Sequence, residues 1–215
     1  MTRVLTAHEV VTEQDRLTHT RSLNVPTPGQ EVAAPDATGE DALWFWVRAN
    51  HAFNAALWAE EDLARRTHVP DAEIVANKRA IDRFNQSRND AAERIDETLL
   101  ATLQRLREAR AVTMAPDARL NSESAGSIID RLSILSLKIH AMRAHADRHD
   151  LPTEQQHRNR ERLALLQQQR QDLMGCLDAL LQDAQRGTGT FKVYRALKMY
   201  NDPQYQNQGS NGACA

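Results

Sequence analysis

Cysteine, aromatic side chains and long apolar runs are all scarce in this sequence, and each scarcity excludes a class of protein. The two cysteines, Cys176 and Cys214, form neither a disulfide framework nor the spacing of a metal-binding cluster. No stretch approaches the roughly 18 consecutive apolar residues of a membrane span, and the first residues lack the apolar core of a signal peptide. We therefore expect a cytoplasmic protein that does not insert into membranes.

An excess of positive charge is also missing. Lysine and arginine total 27 against 29 aspartates and glutamates, so no net field attracts the chain to nucleic acid. The few aromatic residues do not alternate with basic residues in the stripe that single-strand binders use. Nucleic acid is therefore not an expected partner.

Helical periodicity is what the sequence has in abundance, whereas the two-residue alternation of β-strands is absent. Apolar residues recur at spacings of three and four in four long segments, which we name predicted helices A to D. They cover residues 43–66, 71–110, 124–147 and 153–187. The predicted fold is all-α: a bundle of about four long helices plus a short C-terminal helix at 191–200, with helix C in the centre.

Proline and glycine mark the predicted domain boundaries. Residues 1–39 read as an N-terminal arm, with a short helix at 8–20 followed by a linker rich in proline and glycine. Residues 40–203 form the predicted helical bundle domain. Residues 204–215, rich in Gln, Asn and Gly, are a predicted disordered polar tail.

Polar residues lie on the apolar stripes of several predicted helices. A projection at about 100° per residue places the following on or beside those stripes: Asn50, Asn54 and Glu61 on helix A, Asn85 and Arg88 on helix B, and Arg131 and Lys138 on helix C. A buried charge must pair, hold water or face a ligand, because burying it alone is costly. Two interpretations stay open: each residue satisfies a neighbour at the bundle rim, or the set lines a shared pocket.

Metal and nucleotide motifs are missing from these stripes. His145 and His149 are four residues apart but lack the glutamate of a zinc-protease motif, and no pair of Glu-x-x-His motifs faces inward. The segment from Gly187 to Gly189 has no preceding strand and no complete phosphate-loop pattern. The sequence therefore predicts no metal site and indicates no cofactor.

Five segments resemble a bacterial helical family, the domain of unknown function four-two-five-four. They are residues 58–65 (WAEEDLAR), 85–90 (NQSRND), 120–133 (LNSESAGSIIDRLS), 191–195 (FKVYR) and 198–203 (KMYNDP). The resemblance spans about residues 45–203 and implies no established reaction, substrate or cofactor. It associates the chain with biosynthesis of cell-surface glycans or specialised metabolites.

Because the inward polar residues overlap these segments, we expect a small-molecule site, with catalysis, for a phosphate- or carboxylate-bearing metabolite. The expected catalytic carboxylates are Glu61 and Asp202. The expected ligand-binding residues are Asn50, Asn54, Asn85, Arg88, Glu123, Arg131, Lys138, Lys192, Arg195, Lys198 and Tyr200. The alternative is a non-enzymatic scaffold or accessory protein that associates with itself or a partner through the heptad-like face of helix D.

Overall fold

The computed structural model describes residues 3–20 and 40–195, where it contains five α-helices and one pair of two-residue strands. The elements are α1 (Ala7–Thr20), α2 (Glu40–Ala64), α3 (Asp71–Ala109), β1 (Arg119–Leu120), α4 (Ala125–Ala146), α5 (Thr153–Arg186) and β2 (Gly189–Thr190). Helices α2 to α5 correspond to predicted helices A to D, so the predicted all-α bundle is confirmed. Within these ranges, no helix has the length and hydropathy that a bilayer-spanning segment requires.

Helix α4 lies at the centre of the bundle and packs against all four other helices. Its apolar residues point in several directions, and Ile128, Ile129, Leu132 and Ile139 are almost fully buried. A helix that is apolar over most of its circumference is stable only when neighbours cover it on several sides. The central position predicted for helix C is therefore confirmed.

Helices α2 and α3 form a long hairpin. Helix α3 continues without interruption for 39 residues, on the order of 58 Å. The buried stripe Ile95, Leu99 and Leu103 holds its central part in the core. At the tip of the hairpin Leu63 and Val75 are exposed.

Helix α1 belongs to the same hydrophobic core as the bundle. Val4, Leu5 and Val10 are buried in that core, which therefore begins before the predicted domain start at residue 40. The backbone N–H of Ala7, at the start of α1, donates to Oδ1 of Asp178 on α5 at 2.8 Å. The predicted linker after α1 and the predicted tail at 204–215 lie outside the described residues.

A short parallel strand pair holds the end of the described chain against the loop before α4. Helix α5 ends at Gly187, whose φ of 76° is left-handed, and Arg119 then pairs with Gly189 and Leu120 with Thr190. The pairing was not predicted, because two residues are too short for an alternating pattern. Of the predicted C-terminal helix, residues 191–195 have no regular secondary structure and residues 196–200 lie outside the described ranges. Phe191 is buried in the hydrophobic core and anchors this segment there.

Candidate functional site

An open cavity of about 360 Å³, which we call the motif cleft, lies where three of the family-like segments meet. Its walls come from the middle of α3, the loop before α4, the first turns of α4 and residues 192–194. The strand pair brings the last of these walls into place, because it fixes the chain just before Phe191. The charged side chains that line the cleft are Glu93, Asp96, Glu123, Asp130, Arg131 and Lys192, accompanied by Asn89, Asn121 and three serines.

Asp96 on α3 is a buried carboxyl group in the wall of this cleft. Its Oδ1 accepts a hydrogen bond of 2.6 Å from the backbone N–H of Gly126, at the start of α4. Burial raises the pKa of Asp96 to about 6; Glu93 and Glu97 act in the same direction, whereas the hydrogen bonds from Ser124 and Gly126 oppose it. Asp96 can therefore exchange a proton near neutral pH.

The approach of α3 to α4 at this point requires glycine at position 126. A Cβ atom there would lie 2.2 Å from the carbonyl oxygen of Ala92 and 2.9 Å from Cγ of Asp96. Both distances are shorter than any normal contact. The missing side chain of Gly126 is therefore what allows its N–H to reach the Asp96 carboxyl group.

Asp130, one helical turn after Gly126, is a carboxylate held at one oxygen. Its Oδ1 accepts hydrogen bonds of 2.9 Å from Nδ2 of Asn50 and from Nδ2 of Asn54, both on α2. Nε of Arg88 on α3 lies 3.8 Å from the same oxygen. The other oxygen, Oδ2, has no hydrogen-bond partner among the described residues, so it is available to a ligand in the cleft.

A buried chain of hydrogen bonds runs from Asn54 to helix α1, and its donors can be assigned. Thr18 donates to the carbonyl oxygen of Gln14 at 2.8 Å, so its oxygen accepts from Nε2 of His51 at 3.0 Å. Nδ1 of His51 then accepts from Ser133 at 2.8 Å, and the Ser133 oxygen accepts from Asn54 at 3.1 Å. This assignment makes His51 neutral, and burial accordingly lowers its pKa to about 4.

The charges of the cleft do not describe a simple anion site. Nη1 of Arg131 contacts both carboxylate oxygens of Glu123, at 2.9 and 2.8 Å, so its charge is largely compensated. Lys192 is exposed and has no partner among residues 3–20 and 40–195. Four carboxyl groups face two cations. This lining suits a ligand with several hydroxyl groups and one anionic group better than a ligand that is only anionic.

The structure brings together six of the residues predicted from sequence and separates four others. Asn50, Asn54 and Arg88 surround Asp130, and Glu123, Arg131 and Lys192 line the cleft. Glu61, Asn85, Lys138 and Arg195 do not belong to this group. Lys198, Tyr200 and Asp202 lie outside the described residues, so their predicted roles stay predictions.

The expectation of one shared pocket is corrected for the four separated residues. Glu61 is exposed in the last turns of α2. Asn85 is half-buried on α3 without a described hydrogen-bond partner. Lys138 lines a second groove, two turns along α4 from Arg131. Arg195 is exposed and pairs with Glu97 at 3.3 Å.

Sequence reasoning missed Asp96, Asp130 and the hydrogen-bonded chain through His51. Asp130 and Ser133 lie inside the segment 120–133, so that resemblance was a signal for them. No local signal identifies Asp96, because its burial results from the contact with Gly126, 30 residues later. His51 lies beside the apolar stripe of α2, but its partner Thr18 lies on α1, outside the predicted bundle domain.

Replacing Asn54 with alanine is expected to reduce the free energy of unfolding by about 2 kcal/mol, because the buried Ser133 and the half-buried Asp130 each lose a donor. The matched control is Asn85→Ala on α3, which removes the same side chain from a position without a described hydrogen bond. Its expected effect is within about 0.5 kcal/mol. Urea unfolding measures both values, and equal losses in the two variants would argue against the network.

No group of three or more His, Cys, Asp or Glu side chains in the described part of the chain is arranged to hold a metal ion. Among protein families, the model described as "Protein of unknown function (DUF4254)" matches residues 44–193. Neither the curated proteins nor the solved structures contain a match to this chain. The matched region includes every wall of the motif cleft except part of the segment at 192–194, whereas α1 precedes it.

Proposed function

This chain belongs to the DUF4254 family, and from the cleft that its motif segments build we propose that it binds a polyhydroxylated metabolite carrying one phosphate or carboxylate group. We propose further that Asp96 exchanges a proton with this ligand, so that the site is catalytic. The observation that carries the proposal is the meeting of Asp96 and Asp130 in one open cavity.

The two carboxyl groups have different surroundings, and this difference supports a division of roles. Asp96 is buried and holds its proton up to a pH near 6, which suits a general acid or base near neutral pH. Asp130 is surrounded by donors and acts as an acceptor, so its free oxygen suits a ligand hydroxyl group. Asp96 contacts Gly126, and Asp130 follows Gly126 by four residues, a rise of about 6 Å. Asp96 and Asp130 can therefore contact one small molecule.

The anionic group of the ligand is proposed to bind Lys192, with Arg131 beside it. Lys192 is the cation of the cleft that no described carboxylate compensates, and Arg131 offers further N–H donors in addition to the one that contacts Glu123. A sugar phosphate has this combination of hydroxyl groups and one anionic group. A place in the biosynthesis of cell-surface glycans or specialised metabolites, in the cytoplasm, is part of the proposal.

The alternative of a helical scaffold has less support from the structure. It required the heptad-like face of α5 to be free for a partner, but Leu177 and Leu180 of that face are buried in the chain's own core. Leu163, Leu166 and Leu173 on the same face are half-buried. Most of the proposed association surface is therefore already used within the chain.

Thermal shift with sugar phosphates, sugar nucleotides and amino acids tests the proposal. A ligand at a hundred times its Kd stabilises the folded state by about 2.7 kcal/mol, which gives a clear rise in Tm. We expect a sugar phosphate to raise Tm, and Asp130→Asn and Lys192→Gln to weaken its affinity about tenfold each. Asp96→Asn should retain binding but abolish any turnover of that ligand.

The control variant is Lys78→Gln, which removes an exposed lysine that pairs with Asp82 near the tip of the α2–α3 hairpin. Its thermal shift should equal that of the unmodified chain. A ligand that raises Tm equally in the unmodified chain, Asp130→Asn and Lys192→Gln binds elsewhere, and this result would contradict the proposed site.

A further inference from the structure

A second cavity, of about 490 Å³, lies between α4 and α5. We call it the α4–α5 groove. Helix α4 contributes Arg131, Ile134, Leu135 and Lys138, at the spacing that places residues on one helical face. Helix α5 contributes Gln169, Asp172, Leu173 and Cys176 at the same spacing.

The composition of the groove differs from that of the cleft. Ile134, Leu135 and Leu173 supply an apolar lining, and the cleft contains no comparable group of aliphatic side chains. The cations stand at the two ends, because Arg131 and Lys138 are seven residues apart, about 10 Å along the helix. Arg131 lines both cavities and so marks their common boundary.

The two cations are not equivalent. Arg131 is compensated by Glu123, whereas Lys138 has no hydrogen bond or ion pair within the part of the chain that the structure describes. The one acid of the groove, Asp172, accepts a hydrogen bond of 2.8 Å from Gln168. An apolar lining with an uncompensated ammonium group at one end complements a molecule with an apolar body and one anionic end.

We propose that the α4–α5 groove binds a small amphipathic anion, with its aliphatic chain against Ile134, Leu135 and Leu173 and its carboxylate or phosphate at Lys138. This second site adjoins the motif cleft at Arg131, but its proposed contacts with the ligand are its own, so it goes beyond the proposed function and does not depend on it. A small apolar carboxylate or alkyl phosphate has the chemistry that the groove recognises.

Alkylation of Cys176 reports on occupancy of the groove, because this exposed thiol lies in its wall. The experiment uses the full chain with Cys214→Ser, so that iodoacetamide can alkylate only Cys176. Octanoate and octyl phosphate are the probes, and their comparison identifies the preferred anion. The control compounds are acetate, which lacks the aliphatic chain, and octanol, which lacks the charge. We expect saturable protection of Cys176 by at least one of the two probes, and little by acetate or octanol.

Lys138→Gln is expected to weaken the affinity for the protecting probe about tenfold, because the anionic end of the probe loses a charge-assisted hydrogen bond. Arg143→Gln is the matched control: it removes a cation from the same helix at a position that does not line the groove. Lys138 is exposed and Arg143 is half-buried on α4, so circular dichroism is used to check that each variant is folded.

Several results would overturn the proposal. One is the absence of protection by either probe at millimolar concentration, and another is equal protection in Lys138→Gln and the parent chain. If Cys176 becomes reactive only on dilution to the monomer, a second copy of the chain covers the groove. If removal of residues 196–215 increases its reactivity, the C-terminal residues cover it.

Discussion

Replacing Gly126 with alanine is expected to destabilise the fold by at least about 3 kcal/mol, which is the upper part of the range for overpacked cores. The new Cβ would lie 2.2 Å from the backbone oxygen of Ala92, and a backbone atom cannot rotate away as a side chain does. Helices α3 and α4 would have to separate at this point. The hydrogen bond between Gly126 and Asp96 would be lost with the contact.

Gly175→Ala is the matched control for this substitution. Gly175 is also a helical glycine, but a Cβ there would meet no atom within 4 Å. Alanine at this position is expected to stabilise α5 by up to about 1 kcal/mol, because glycine is the poorer helix former. The same mutation should therefore have opposite effects at the two positions, as measured by urea unfolding.

The double variant Gly126→Ala with Asp96→Ala separates the two contacts. If the clash with the Ala92 backbone dominates, truncating Asp96 restores none of the lost stability. Recovery in the double variant would show that the Asp96 side chain was the obstacle. A single Gly126→Ala variant as stable as the unmodified chain would mean that the helices do not approach this closely.

The helices were predictable from sequence because their limits depend on local chemistry. Pro70 and Pro152 stand directly before α3 and α5, and Gly187 adopts the left-handed conformation that ends α5. Helix α1 was predicted as a short helix of a separate arm. Its place in the core depends on contacts with residues far along the chain, such as the bond from Ala7 to Asp178.

The site was only partly predictable, for a geometric reason. A helical projection gives the angle of a residue around the axis, so it identified Asn50 and Asn54 correctly as inward-facing. It gives no height along the axis, and this placed Lys138 in one pocket with Asn50 and Asn54, whereas Lys138 lines the α4–α5 groove and not the motif cleft. It also does not measure exposure, and it placed Glu61 inward although its side chain is exposed.

The role of Asp96 cannot be predicted from the local sequence pattern. Its burial, its hydrogen bond to Gly126 and its raised pKa all result from one crossing of α3 and α4. That crossing depends on a glycine in a distant segment. A residue whose role is created by tertiary contact is visible only when both segments are placed in space.

His51 and Asp96 are expected to change the free energy of unfolding in opposite directions as the pH rises from 4 to 6. Burial lowers the pKa of His51 from 6.5 to about 4, so in this interval the unfolded chain binds the additional proton. The contribution of His51 is therefore fully present above pH 6.5 and is lost as the pH falls towards 4. The change is about 2 kcal/mol between pH 6 and pH 4.

The sign is reversed for Asp96. Burial raises its pKa from 3.8 to about 6, so in this interval the folded chain binds the additional proton. Its contribution is fully present below pH 3.8 and is lost as the pH rises through 6, again by about 2 kcal/mol between pH 4 and pH 6. In the unmodified chain the two effects nearly cancel. The pH dependence that each group gives to the free energy of unfolding is therefore measurable only when the other group is removed.

Urea unfolding at pH 4, 5 and 6 therefore has a specific expected outcome. Relative to the unmodified chain, the stability of His51→Gln falls by about 2 kcal/mol as the pH rises from 4 to 6, and that of Asp96→Asn rises by about the same amount. Surface carboxylates are present in all three chains, so the comparison removes their effect. His68→Gln, in the exposed turn between α2 and α3, should parallel the unmodified chain. Slopes of equal sign in His51→Gln and Asp96→Asn would contradict the opposed protonation of these two buried groups, and with it the proton-exchanging role proposed for Asp96.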